Sequence, residues 1–164
     1  MNILITGGAG YIGSATAYLL LKKKITPIII DKLIYKKNNI APKKSIFFKS
    51  NISNLDLVKK IIKKYNIKSV IHFAAYKDVE ESILKPKKYY TNNYLISKKF
   101  IKCCKESGIN RFIFSSTAAV YGNLNKNKKV QEKSNLKPIS MYGFTKKKIE
   151  EYLNKISDKN FKFF

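Results

Sequence analysis

Short apolar runs and stretches of helical period alternate along the chain from its first residues. Asn2–Thr6 is an apolar run of strand length, closed by Gly7, Gly8 and Gly10. Residues 11–23 follow with Ile12, Ala15, Leu19 and Lys22 on one stripe, the spacing of an amphipathic helix. Residues 27–31, Pro-Ile-Ile-Ile-Asp, form a continuous β-branched run, as expected of a strand covered on both faces. Residues 31–44 are polar, hold Pro42 and predict a long loop before a third strand over 45–49. Asn51 or Ser53 is placed to cap a helix reaching about Tyr65, with Leu55, Val58, Ile61 and Ile62 inward. Residues 69–74 predict a fourth strand. After Pro86 the pattern predicts a long helix over about 89–106, stopped by Gly108. Residues 112–115 predict a fifth strand, 122–138 a polar loop long enough to suggest function, and 140–155 a last helix. Residues 161–164 predict the first half of a sixth strand.

Strand and helix in this alternation imply an α/β fold with right-handed crossovers, the doubly wound parallel sheet of the Rossmann type. At 164 residues the chain is expected to form one domain over 1–164, incomplete at its C-terminal end because the sixth strand is cut short.

Charge is the feature of the composition that stands out. Thirty-four Lys and Arg against ten Asp and Glu give a net charge of +24, yet Arg111 is the single arginine. Base-edge and phosphate readers favour the planar fork of Arg, so this surface is a poor reader of nucleic-acid sequence. The lysines run along the whole chain, as in Lys22-Lys23-Lys24 and Lys146-Lys147-Lys148. Lys, Ile and Asn, all with A/T-rich codons, supply 71 of the 164 residues, so coding bias accounts for the charge. No specific nucleic-acid partner is expected, only salt-sensitive attraction to polyanions. The longest apolar run falls far short of the ~20 residues of a membrane span, and MNILITGG has no signal-peptide pattern. Cys103 and Cys104 are adjacent, which suits reduced thiols and a cytoplasmic setting. One His and two Cys do not make a metal site.

Candidate chemistry begins at the first turn. Four of the seven glycines fall in the first thirteen positions, as Thr6-Gly7-Gly8-Ala9-Gly10-Tyr11-Ile12-Gly13, between a predicted strand and a predicted helix. Asp31 follows 18 residues after Gly13, at the end of the second strand. That is the context of a dinucleotide-binding fingerprint. Gly7 permits the tight turn, Gly10 lets backbone approach a pyrophosphate, and Gly13 lets helix pack on strand. The helix N-terminus offers amide donors to the phosphates. Asp31 would accept from both ribose hydroxyls and repel a 2′-phosphate, favouring NAD over NADP.

A second constellation lies downstream. Tyr142-Gly143-Phe144-Thr145-Lys146 sets a tyrosine and a lysine at i and i+4 on one helix face. Tyrosine titrates near ~10, so a fixed ammonium beside it would stabilise the phenolate and make a usable base. Phe114-Ser115-Ser116-Thr117 ends a predicted strand at its carboxyl end, where open parallel sheets hold ligands.

Five blocks now carry a resemblance. They are Gly7-Gly8-Ala9-Gly10-Tyr11-Ile12-Gly13-Ser14, Val70-Ile71-His72-Phe73-Ala74-Ala75-Tyr76-Lys77, residues 86–93 (PKKYYTNN), residues 112–122 (FIFSSTAAVYG), and Tyr142 to Lys146. In order and spacing the chain resembles the extended short-chain dehydrogenase/reductases, and within them the UDP-glucose 4-epimerase group. The resemblance implies NAD as a tightly held cofactor and a UDP-sugar as substrate, oxidised at C4 to a keto sugar and reduced again on the other face. It implies Tyr142 as base, Lys146 as its electrostatic partner and a nicotinamide-ribose ligand, and Thr117 as the proton-shuttling hydroxyl. It places Gly7, Gly10, Tyr11, Ile12, Gly13, Asp31, Asn51, Ile52, Phe73, Ala74, Ala75, Lys77, Asn92 and Ser115 along the cofactor. It also implies a homodimer through the helices at 89–106 and 140–155, and a C-terminal substrate domain that this chain lacks. Two features depart from the family pattern. Lys32 stands where an Asn is usual, and Asn51 stands where an Asp contacts adenine. The alternatives carried alongside the 4-epimerase reading are a non-catalytic NAD-binding remnant and another UDP-sugar epimerase or decarboxylase of the same family.

The remaining candidates read as structural. His72, inside an apolar run, is expected to be a buried, hydrogen-bonded core residue. Cys103 and Cys104 are expected to pack inside a helix. Glu80, Glu81 and Ser82 suit either a substrate border or a solvated helix start.

Overall fold

The computed structural model describes residues 1–34, 40–123 and 129–164. Parts of the predicted loops at 31–44 and 122–138, namely 35–39 and 124–128, lie outside the described residues. The chain forms two compact units. One comprises Met1–Ala74, Lys99–Ser115 and Ser157–Phe164, the other Ala75–Lys98 and Ser116–Ile156.

The first unit holds the sheet. Its strands are β1 (Asn2–Thr6), β2 (Thr26–Asp31), β3 (Ile46–Lys49), β4 (Ser69–His72), β5 (Arg111–Phe114) and β6 (Lys162–Phe163). All pair in parallel, in the order β3-β2-β1-β4-β5-β6. Leu4, Ile5, Ile28, Ile29, Ile30 and Val70 are fully buried, which is why the predicted runs are continuously apolar rather than alternating. The order reverses between β1 and β4. Gly7 follows the first of these strands and Phe73 the second, so the switch point of the sheet lies at their carboxyl ends. The sixth strand is present as expected, pairing Arg111 with Lys162 and Phe112 with Phe163.

Two helices of this unit correct the sequence reading. Helix α1 spans Tyr11–Lys22, but its buried residues are Gly13, Ser14 and Ala17. The predicted stripe faces outward, with Ile12 and Leu19 each 59% exposed. Small side chains are what allow the helix to lie close on the strands, and that closeness decides which face turns in. Helix α2 spans Leu55–Lys64 and buries Val58, Ile61 and Ile62 as predicted. Its cap is neither Asn51 nor Ser53. Asn54 accepts from the Leu57 amide at 3.2 Å, while the Asn51 side chain is engaged in a turn, accepting from Ser53 N–H at 3.0 Å.

His72 is buried and paired at 2.6 Å with Thr6 Oγ1, its ring within 5.3–6.0 Å of the rings of Phe100, Phe112 and Phe114. Cys103 and Cys104 are free and buried, and burial pushes both thiols up.

The second unit is helical. Helix α3 (Val79–Leu84) begins at Asp78, whose side chain accepts from Glu81 N–H, so Glu80, Glu81 and Ser82 are a helix start. The Lys88 ammonium and then the Tyr89 hydroxyl hold the Glu81 carboxyl down to about 2. Helix α4 (Pro86–Tyr89) opens the predicted long helix, which runs on through a π-helical stretch over Tyr90–Ile96 into α5 (Ser97–Glu106), whose residues from Lys99 onward belong to the first unit. A 3-10 turn over Ala118–Tyr121 and the helix α6 (Met141–Ile156) complete the unit. Among the described residues no helix is long and apolar enough to cross a membrane.

Candidate functional site

The glycine turn is shaped by backbone against backbone. Gly7 adopts φ +71°, and a β-carbon there would lie 2.8 Å from the Ala74 amide nitrogen, at the exit of β4. A β-carbon on Gly13 would run into the Gly7 carbonyl oxygen. Gly10 is different in kind, since its nearest neighbour would be that same oxygen at 3.3 Å. Gly8, passed over in reading the sequence, packs against Ile29, whose Cγ2 would stand 2.7 Å from an added carbon.

Gly10 is also the N-cap of α1, with extended backbone, no capping side chain and no acid in the first turn. The leading amides of the helix, those of Tyr11 and Ile12, have no intrahelical acceptor. Their residues are exposed. The arrangement presents a helix N-terminus with open donors to an anion.

Asp31 closes this turn from the next strand. Its Oδ2 accepts from Ala9 N–H at 3.1 Å and its Oδ1 from Leu33 N–H at 2.8 Å. Each oxygen keeps a second lone pair for another donor. The Ser50 amide donates to the Asp31 carbonyl at 3.0 Å, which brings the start of the Asn51-Ile52 segment beside the end of β2. Asn51 is half-buried and Ile52 buried. Phe73 and Ala74 are fixed by amide donation to the Thr6 carbonyl at 3.0 Å and the Thr6 hydroxyl at 3.3 Å. Ser115 N–H donates to His72 C=O at 3.2 Å. The first unit therefore brings together Gly7, Gly10, Tyr11, Ile12, Gly13 and Asp31 around one turn, with Phe73 and Ala74 against Gly7.

The second unit gathers the hydroxyl, the tyrosine and the lysine. Ser140 caps α6, accepting from Gly143 N–H at 3.1 Å, and Tyr142 N–H donates to Ser82 Oγ at 3.1 Å. Tyr142 is half-buried. Lys146, one turn on, is 5% exposed, with its ammonium 5.9 Å from the Tyr142 ring centre. Burial pushes Lys146 down to about 8, against the opposing field of Glu150. Thr117 Oγ1 accepts from Ala119 N–H at 3.2 Å, which starts the 3-10 turn and leaves its own O–H to donate. Gly143 packs against that turn, with an added β-carbon 2.5 Å from Ala119 O. A glycine inside a helical pattern marks a position for close packing, but what it packs against is set only by the fold.

Asn92, Lys77 and Ala75 also lie in the second unit. Asn92 donates to Asn93 Oδ1 at 2.9 Å. The buried Asn93, which sequence reasoning missed, accepts from Tyr76 N–H at 2.9 Å and donates to Tyr76 C=O at 2.8 Å. It clamps the segment between Ala75 and Lys77. Lys77 is exposed. Among the described residues no three His, Cys, Asp or Glu side chains converge as a metal site would need.

Known proteins match this chain over most of its length. The family model described as Epimerase, the NAD dependent epimerase/dehydratase family, matches residues 3–164. A UDP-glucose 4-epimerase of Lactobacillus helveticus is 36% identical over 153 residues, 93% of this chain and 46% of that protein. A UDP-glucose 4-epimerase of Klebsiella pneumoniae is 40% identical over 129 residues, 74% of this chain and 93% of that sequence. The crystal structure of the Thermus thermophilus UDP-glucose 4-epimerase complex with NAD superposes with a TM-score of 0.92 at 28% identity, over 99% of this chain and 53% of that one. The UDP-Glc/GlcNAc 4-epimerase of Campylobacter jejuni gives 0.89 at 38% identity, over 99% and 51%. The chain thus spans about half the length of the Lactobacillus relative and of these two solved chains.

Proposed function

Because the chain belongs to the NAD dependent epimerase/dehydratase family, we propose that it binds NAD and carries the cofactor-holding and proton-handling residues of a UDP-sugar 4-epimerase. The observation that carries this reading is the second-unit group: Tyr142 above a buried Lys146 on α6, with Gly143 drawn tight against the turn that Thr117 starts.

The first-unit residues fit NAD. Glycines at 7 and 13 allow a turn that a β-carbon would fill, and the amides of Tyr11 and Ile12 lie open at a helix N-terminus to take the pyrophosphate. Asp31 keeps lone pairs for ribose hydroxyls, and its charge disfavours a 2′-phosphate. Within this unit Asn51 and Ile52 would border the adenine, with Phe73, Ala74 and Ser115 as further cofactor contacts. Of the second unit's own residues, Ala75, Lys77 and Asn92 are the cofactor contacts the family resemblance implies, and Lys146 the nicotinamide-ribose ligand.

Bound NAD would supply a hydride acceptor and donor for sugar C4. Tyr142, as phenolate, takes the proton of the C4 hydroxyl, with Thr117 hydrogen-bonding that oxygen and relaying the proton. The Lys146 ammonium lowers the cost of the phenolate. In the return half the same groups give the proton back. One solved neighbour is a UDP-Glc/GlcNAc 4-epimerase, which supports a UDP-hexose of this class as the substrate. A second reading is NAD binding without turnover by this chain alone, which spans 46% of the Lactobacillus relative.

The test is calorimetric titration of the chain with NAD at moderate salt, followed by UDP-glucose turnover in the presence of NAD. The expected results are NAD binding by the wild-type chain, and a Tyr142→Phe variant that binds NAD with turnover abolished. Absence of NAD binding overturns the function. Turnover retained in Tyr142→Phe overturns the base assignment, and NAD binding with no turnover by wild type selects the second reading.

A further inference from the structure

One side-chain hydrogen bond joins the hydroxyl-bearing segment to the helix of the tyrosine and lysine. Ser116 donates its Oγ–H to Glu150 Oε1. Ser116 is the chain neighbour of Thr117. Glu150 sits one helical turn beyond Lys146 and two beyond Tyr142, so the three residues share a face of α6. Glu151, the adjacent acid, pairs instead with Lys147 and Lys148.

We propose that Glu150 is a positioning residue for the reaction, tying the Thr117 segment to α6 through Ser116 and standing as counter-charge to the Lys146 ammonium. The proposal rests on the roles given above to Tyr142, Lys146 and Thr117. The tether explains how a hydroxyl on one segment keeps register with a base on another. A proton relay between Tyr142 and Thr117 works only at hydrogen-bond distance, and a shift of an ångström breaks it.

The counter-charge has a second consequence. Burial drives Lys146 toward its neutral form, and the field of Glu150 works against it. Among the described residues Tyr142 is a second titratable group near Lys146, its ring centre 5.9 Å from the ammonium. Of the two, Glu150 is the one that favours the charged lysine on which a phenolate depends.

The experiment reads the Lys146 titration in the full chain by NMR of its side-chain signal, assigned with Lys146→Met. Glu150→Gln keeps an acceptor for Ser116 and removes the charge. Its Lys146 midpoint is expected to lie about one pH unit below wild type, the effect of losing one nearby opposite charge. Ser116→Ala keeps the charge and removes the tether, so the midpoint is expected to fall less, while the Thr117 amide signal shifts. Glu150→Asp is expected to restore most of the midpoint.

An unchanged Lys146 midpoint in Glu150→Gln overturns the counter-charge, and an unmoved Thr117 amide in Ser116→Ala overturns the tether. Should Glu150→Gln not fold, Glu150→Ala takes its place for the Lys146 midpoint, and Ser116→Ala decides the tether by the Thr117 amide. These outcomes are separate from NAD binding by the wild-type chain. Loss of that binding would overturn the functional reading and leave the Glu150 result standing.

Discussion

A methyl group at position 13 would meet the carbonyl oxygen of Gly7, whereas one at position 10 would approach that oxygen only to 3.3 Å. The two glycines therefore answer to different demands. Gly13 serves the fold, because helix α1 can lie on the turn only if nothing stands between them. Gly10 is not demanded by the fold, because it caps the helix in an extended conformation that other residues adopt, and under the proposed function its bare backbone serves the ligand. Gly13→Ala is expected to lower stability by about 2 kcal/mol through overpacking, and Gly10→Ala to stay within about 0.5 kcal/mol while weakening NAD binding. Urea unfolding beside NAD calorimetry checks both. Equal urea midpoints for Gly13→Ala and wild type would remove the close approach from the explanation.

At the scale of elements, the helical run from Pro86 to Glu106 shows how local pattern and tertiary demand part company. The periodicity predicts a plain helix, yet Tyr90–Ile96 is π-helical. Such stretches accompany functional sites, and this one carries Asn92 and Asn93. Asn93 is buried and meets both backbone groups of Tyr76, as a paired strand residue would. Its amide substitutes for a sheet ladder where the chain has left β4 and not yet entered α3. Asn93→Ala removes both of these bonds and is expected to cost about 2–3 kcal/mol. Thermal melting of the variant measures this, and a loss under half a kcal/mol would show that the Tyr76 segment is held by other means. The α1 surface makes the companion point. Its larger apolar residues face outward because the small ones were needed inward.

For the whole molecule, the number that governs behaviour in solution is the charge of +24. The ion pairs among the described residues join Lys85 and Lys88 to Glu81, Lys102 to Glu106, Lys105 to Asp158, and Lys147 and Lys148 to Glu151. With ten acids for thirty-four bases, most of the positive charge has no acidic counterpart. Association with any polyanion is expected to weaken steeply with salt, roughly a thousandfold between 50 and 200 mM if six or more phosphates are contacted. Competition between DNA duplexes of different sequence at fixed salt is expected to show no preference. A strong preference would restore a role for the lysines as sequence readers.

Much of this protein follows from spacing along the chain. Strand and helix order, the parallel sheet, the turn at Gly7 to Gly13, the acid at Asp31, and the sharing of one helix by Tyr142 and Lys146 all depend on contacts within a few residues or on repeated period. Backbone preferences and side-chain periodicity encode such things directly. The direction faced by α1, the cap at Asn54, the clamp at Asn93, the tight contact at Gly143 and the bond from Ser116 to Glu150 were decided only in three dimensions. Each depends on which atoms come within a few ångströms after folding or on how neighbouring polar groups are already engaged. Ser116 and Glu150 are 34 residues apart, and nothing in either residue's neighbourhood names the other. Burial of Lys146 belongs to the same class. A lysine in so lysine-rich a chain carries no sign of its depth, and packing alone set it apart from the other described lysines.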